Sequence, residues 1–191
     1  MMKSCLRQAL SLLFSMILLT GLLYPLLITG VSQAIFPRQA NGSLVVVNGR
    51  IAGSELIGQP FASPRYFWAR PSATAPFPYN SAASTGSNWG PSSAELIKQV
   101  QEGVELLRKA DPQNRLPVPV DLVTSSGSGL DPHISPAAAL YQVPRVAGAR
   151  GLDEDAVRRL VLSRIQERPF GVLGEPVVPV LTLNMALDNL R

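Results

Sequence analysis

The chain has 191 residues, of which 46% are hydrophobic and 16% charged, with a formal net charge of +4. That length holds one domain with a core of its own and excludes a large multidomain enzyme. One cysteine, Cys5, and one histidine, His133, exclude a disulfide framework, a Cys-rich zinc site and a histidine cluster, and so small a charge excess argues for no nucleic-acid partner.

Charges are absent from the 30 residues between Arg7 and Arg38. Within that gap, Ala9–Gly30 is almost wholly apolar, and about 20 apolar residues span the ~30 Å hydrocarbon core as a helix. Serine and threonine hydroxyls can bond the preceding turn, and a kink at Pro25 is tolerated in a membrane helix. Ser32-Gln33-Ala34 offers small residues for signal cleavage, yet a signal core runs only ~7–15 residues. The spacing therefore predicts a retained anchor over residues 1–36. Lys3, Arg7 and the amino terminus flank one end and Arg38 the other, which places the amino terminus in the cytoplasm and residues 37–191 outside.

Beyond the anchor, Leu44–Val47 reads as a strand, Asn48-Gly49 as a type I′ turn and Arg50–Ala52 as the return strand. Residues 56–94 hold no acid, and seven of the chain's aromatics fall between Phe61 and Trp89. Tyr66–Arg70 reads as a strand, and the prolines from Pro71 to Pro91 predict an irregular stretch. Long ordered loops are uncommon and often functional, and aromatics with arginine are what interfaces enrich. The bland alternative is that these rings pin the loop to the domain's own core.

Ser92 and Glu95 form a capping-box pattern ahead of a helix to Ala110, with Leu96, Val100, Val104 and Leu107 as its apolar stripe. Val118–Thr124 reads as an edge strand, restricted by Pro119. Ser135-Pro136 opens a helix to about Gln142, with a further helical turn over Pro144–Ala149. Asp153 opens another helix with Val157, Leu160, Val161 and Ile165 inward. Gly174–Pro179 turns into a strand, and Leu183, Leu187 and Leu190 suit a terminal helix after Asn184. Strands and helices mix without regular alternation, so the fold class is α+β.

The densest chemical signal is the Gly/Ser turn of Ser126, Gly127, Ser128, Gly129 and Asp131. Small residues there can converge backbone N–H groups on an anion; the bland reading is turn geometry, with positive φ at Gly127 and Gly129. No Gly-Lys-[Ser/Thr] follows, so it is not a P-loop, and Ser126 stands where a nucleophile elbow needs glycine. Ser128, Asp131 and His133 supply triad residue types but lie too close in sequence to assemble readily. The bland reading of His133 is a helix-entry residue bonded to nearby backbone. The residues themselves thus point to an anchored α+β domain with an interaction role rather than catalysis. A membrane-anchored ligand-binding or hydrolytic domain acting alone is the alternative.

A collinear set of motifs narrows this. It includes Tyr24-Pro25-Leu26, Gln39–Ser43, Arg70–Ala73, Pro78-Tyr79-Asn80, Gly86–Asn88, Ser126–Asp131, Gln142, Pro144–Ala147, Pro176–Val178 and Leu183-Asn184. Their order along the whole chain resembles the KdpC family, the C subunits of Kdp-type potassium-transporting P-type ATPases. The resemblance implies a bacterial inner-membrane complex with an ion-path subunit, an ATP-hydrolysing subunit and a small single-helix subunit. ATP and potassium would be handled by the complex, with no cofactor tightly bound here and no catalytic residue. It also implies a catalytic-chaperone role, in which Gln142 approaches the nucleotide. The charge bias instead places residue 142 outside, away from ATP. There Phe67, Trp68, Arg70, Tyr79 and Asn80 would dock on the ion-path subunit as an outer cap. The two accounts put residue 142 on opposite sides of the membrane.

Overall fold

A computed structural model describes residues 2–190. Two helices, α1 (Met2–Leu18) and α2 (Tyr24–Ile35), run into one another through a π-helical turn at Leu19–Leu23. The cause is Pro25, which has no N–H and whose ring would strike the carbonyl four residues back. The wider turn accommodates it, with the Tyr24 N–H bonding Leu19 O, five residues back. The expected kink is therefore a π-bulge. Lys3–Ile35 is a 33-residue stretch that holds an 18-residue window of mean hydropathy 2.1 and has no buried side chain. This is one helix long and apolar enough to cross a membrane. The Thr20 hydroxyl bonds Met16 O at 2.7 Å, on the preceding turn. A short helix, α3 (Pro37–Ala40), follows. The chain divides into two compact units after Leu44.

At this point the chain forms the hairpin β1 (Leu44–Val47) and β2 (Arg50–Ser54), joined at Asn48-Gly49 as expected. Both turn residues have positive φ, 50° and 76°, the requirement of a type I′ turn. The stretch from Leu56 to Ser93 is irregular apart from one 3-10 turn at Ser81–Ala83. The strand expected at Tyr66–Arg70 is absent; its backbone is bonded by side chains instead, as described below.

Helix α4 (Ala94–Ala110) is capped by Ser93, not Ser92: the Ser93 hydroxyl accepts the Leu96 N–H and donates to Glu95. Glu95 thus lies one position too early to close a capping box. The stripe Leu96, Val100, Val104 and Leu107 does face inward. Val118–Thr124 is not a strand but holds a 3-10 turn at Val120–Leu122.

Helix α5 (Pro136–Arg150) is one continuous element capped by Ser135. It runs through Pro144 rather than breaking there. The lost bond to the Leu140 carbonyl is outweighed by burial on both sides, with Val143 and Val146 fully inside. It ends in a Schellman motif: Gly151 takes φ 66°, and the Leu152 N–H returns to Ala147 O at 3.0 Å. Helix α6 (Glu154–Ser163), capped by Asp153, lays Val157 and Val161 on α5. Two short strands, β3 (His133–Ile134) and β4 (Val178–Pro179), pair antiparallel, Ile134 opposite Val178. Helix α7 (Val180–Asp188) starts directly from β4, five residues earlier than the start after Asn184 that the sequence suggests. Phe67, Ile134, Val143, Val157, Val178, Leu183 and Leu187 form the centre of the core.

Candidate functional site

Three features surround the aromatic segment. The first is the way its backbone is held. Asn184 on α7 accepts the Phe67 N–H at 2.8 Å and donates to Phe67 O at 3.0 Å. Gln142 on α5 repeats this one residue later. It accepts the Trp68 N–H at 2.7 Å and donates to Trp68 O and Ala138 O, both at 3.2 Å. Each carboxamide presents one acceptor and one donor edge, as a neighbouring strand would. Arg145, one turn beyond Gln142, bonds Pro64 O at 2.6 Å, Tyr66 O at 3.1 Å and the Gln142 carbonyl at 2.6 Å. Its guanidinium also lies 4.1 Å from the centre of the Trp68 ring. Arg150 takes Arg65 O at 2.7 Å, pairs with Asp188 and stacks on Tyr66. The Trp68 indole N–H closes on Ser63 O at 2.9 Å. The carbonyls of residues 63 to 68 are thus all taken by side chains. Burial pulls the Arg145 guanidinium down to about 10, partly countered by Asp111, so it stays charged at neutral pH.

Gln142 is only 1% exposed and its carbonyl and amide are all engaged. An approach to a nucleotide would first have to unmake those bonds, at the full cost of stranding buried partners. Phe67 likewise is 0% exposed and belongs to the core. Its ring faces inward here, whereas the sequence placed it among the docking residues.

The second feature joins Arg70, Asp131 and the Gly/Ser turn. Arg70 Nη1 lies 3.3 Å from Asp131 Oδ2, and its Nη2 donates to Ser125 O. Asp131 Oδ1 accepts the His133 N–H at 2.9 Å and faces the ring Nδ1 at 3.4 Å. Burial pushes the Asp131 carboxyl up, but the two His133 contacts and the Arg70 charge together hold it below the usual carboxylate range. The Tyr79 hydroxyl donates to Arg70 O, and burial next to Asp131 raises it to about 12. Asn80 caps the 3-10 turn through the Ala82 N–H and donates to Ala75 O. Arg70, Tyr79 and Asn80 therefore shape their own loop.

Two of the turn's N–H groups and one just beyond it are bonded within this segment: Gly129 N to Ser126 Oγ, Leu130 N to Ser128 Oγ and His133 N to Asp131. What it receives is the facing loop. The Ser72 hydroxyl donates to Gly129 O at 2.7 Å, and the Thr85 N–H to Ser128 O at 3.0 Å. A Cβ on Gly129 would lie 2.6 Å from Thr85 O, and one on Gly86 2.8 Å from Gly127 O. The glycines thus serve close packing. Gly129 has the expected positive φ, 67°, whereas Gly127 does not. Of the triad types, Asp131 meets His133, in strand β3 rather than at a helix entry. No hydrogen bond joins Ser128 to His133 among the described residues.

The third feature is an apolar groove of about 370 Å³ between the aromatic segment and α4, lined by Phe61, Trp68, Leu106 and Leu122 among others. Of the expected docking residues, Trp68 lines this groove. Asn184 and Arg145 were missed as site residues. The signal was present: a lone asparagine in the apolar run Val180–Leu187, and an arginine three residues from Gln142 on a helix with a buried face.

The family profile described as "KdpC: K+-transporting ATPase, c chain" matches residues 6–189. The chain is 58% identical to the potassium-transporting ATPase KdpC subunit of Methylococcus capsulatus, over 97% of both chains. It is 59% identical to that of Sorangium cellulosum over the full length of both. The same subunit of Herpetosiphon aurantiacus is 55% identical, over 100% of this chain and 98% of the relative. With a match from the apolar helix to the last helix of the folded unit, the chain belongs to the KdpC family.

Proposed function

We propose that this chain is a non-catalytic, single-pass accessory subunit of a potassium-transporting ATPase in a bacterial cytoplasmic membrane. It assembles with an ion-path subunit, an ATP-hydrolysing P-type subunit and a small single-helix subunit. The observation that carries the reading is the collinear, full-length relation to subunits named for that transporter. The exposed 33-residue apolar helix supports an anchor packed by lipid and partner helices. Lys3 and Arg7 in its first two turns, against Arg38 beyond its far end, support a folded domain on the outer side.

The domain acts as an outer cap. Gln142, Asn184 and Arg145 hold the aromatic segment rigid from within. Trp68 and the groove beside it form the docking surface, while Phe67, Arg70, Tyr79 and Asn80 fix the loop that frames it. Gln142 therefore serves the complex by shaping this surface rather than by touching nucleotide. ATP and potassium are handled by the other subunits. The commitment of the Ser128 hydroxyl to its own turn favours this over a hydrolytic domain acting alone.

The test is a mild-detergent purification of the tagged chain from membranes of potassium-limited cells, with mass analysis of what accompanies it. The reading expects a P-type ATPase subunit and a channel-like subunit. Recovery of the chain alone, from cells that contain those subunits, would overturn it and return the solitary ligand-binding domain to the front.

A further inference from the structure

The loop between α6 and β4 has no part in the features above. Its tip exposes Phe170 at 92%, Val172 at 74% and Leu173 at 56%. Adjacent large apolar side chains left in water mark interaction sites. This tip is also built, not slack. The Gly171 N–H returns to Arg168 O at 2.9 Å and the Leu173 N–H to Pro169 O at 3.1 Å. Gly171 and Gly174 supply positive φ at 74° and 71°. Phe170 itself is held at φ 54°, ψ 16°, the left-handed region that an aromatic residue rarely adopts. Below the tip, Gln166 and Val177 exchange two backbone bonds at 2.8 and 3.0 Å, and Arg168 pairs with Glu175.

We propose that this knuckle plugs a concave apolar pocket on a neighbouring protein subunit of the transporter, with Phe170 as its anchor. The inference rests on the assembly reading above and adds the surface that carries it. Preorganisation points to a protein pocket. A loop already folded and strained into one shape saves the ordering cost of fitting a fixed complementary surface. A bilayer has no fixed shape to fit. The residues from Arg164 to Glu175 carry two bases and two acids, not the basic cluster that anionic lipid attracts. The chain also already has a 33-residue apolar helix for lipid. A second copy fits poorly as well, because the knuckle in another copy's groove is a head-to-tail contact that tends to propagate rather than close. Arg168 and Glu175 at the neck then form the polar rim that surrounds an apolar anchor.

The experiment replaces Phe170 with photoreactive benzoylphenylalanine in the full-length chain, irradiates intact membranes and identifies the adduct. In parallel, the Phe170→Asp chain is purified under the conditions used for the wild type. The expected results are an adduct with another subunit of the potassium-transporting ATPase and an about tenfold or greater loss of that subunit from the Phe170→Asp preparation. The thermal midpoint of the chain should stay unchanged, since Phe170 touches little of its own domain. An adduct with lipid, with a second copy or with nothing, or co-purification of Phe170→Asp at wild-type yield, would overturn the knuckle. If the wild-type chain itself brings down no ATPase subunit, the fault lies with the assembly reading instead.

Discussion

The apolar helix over residues 3–35 and the aromatic segment over residues 63–70 solve the same problem in opposite ways. In the helix every interior backbone group finds its partner four or five residues away, so all the side chains are free to face outward. In the aromatic segment the carbonyls of residues 63 to 68 are bonded by side chains, most from α5 and α7, 74 to 117 residues further on for the two carboxamides. One element is self-sufficient and has no buried side chain. The other is a turn and an irregular stretch, with buried carboxamides and guanidinium groups bonding its backbone where a neighbouring strand would. Its integrity depends on a few distant residues, and removing any one strands buried polar groups.

The largest effect should come from the core side of the segment. Phe67→Ala removes a fully buried ring and should cost about 3–5 kcal/mol, read as a shift of the chemical unfolding midpoint of the full chain in detergent. A cost near zero would mean the segment is not anchored as described. Next comes the clamp. Gln142→Glu keeps the shape but sets an acceptor against Trp68 O and Ala138 O, and should cost about 2–3 kcal/mol. If Gln142 only met a ligand, the same change would leave unfolding untouched. Asn184→Asp should behave alike. By contrast, Leu13→Ala on the apolar helix should leave the folded domain's unfolding unchanged, which sharpens the contrast between the two regions.

The Asp131 cluster should be felt through pH. Its carboxyl is held below the ordinary value in the folded state, so its contribution is fully present above the unfolded value of about 4 and is lost as pH falls through the lower folded value. The stability gap between wild type and Asp131→Asn should therefore shrink as the pH falls below about 4. A gap that grows on acidification below about pH 4 would contradict the geometry. The smallest effect is local: Ser93→Ala should cost about 1 kcal/mol through the lost cap of α4, and Ser92→Ala close to nothing.

This contrast also explains what could be read from residues alone. The apolar helix, the Asn48-Gly49 hairpin, α4 and the Asp153-capped helix are governed by periodicity and by caps within a few positions, and all were legible. The strands expected at Tyr66–Arg70 and Val118–Thr124 were not, because β-like composition says nothing of which groups will bond the backbone. Pro144 read as a helix boundary, since the energy that carries α5 through it is tertiary burial of Val143 and Val146. At the candidate site, Gln142 and Trp68 were legible as important positions, but their pairing was not. Phe170 carried only a weak mark, an apolar run between Pro169 and Gly174 with charges at either end.

The central claim is that the clamped segment is a docking surface on the outer face, with Gln142 out of reach of ATP. Thiol labelling tests it most directly. Cys5 is the chain's one cysteine, exposed in the first turn of the apolar helix, and Ser92 is an exposed position in the folded domain. In cells carrying the Ser92→Cys chain, a membrane-impermeant maleimide applied to intact spheroplasts should label position 92 at once and Cys5 only after permeabilisation. The reverse pattern would put the domain beside the nucleotide and contradict the account.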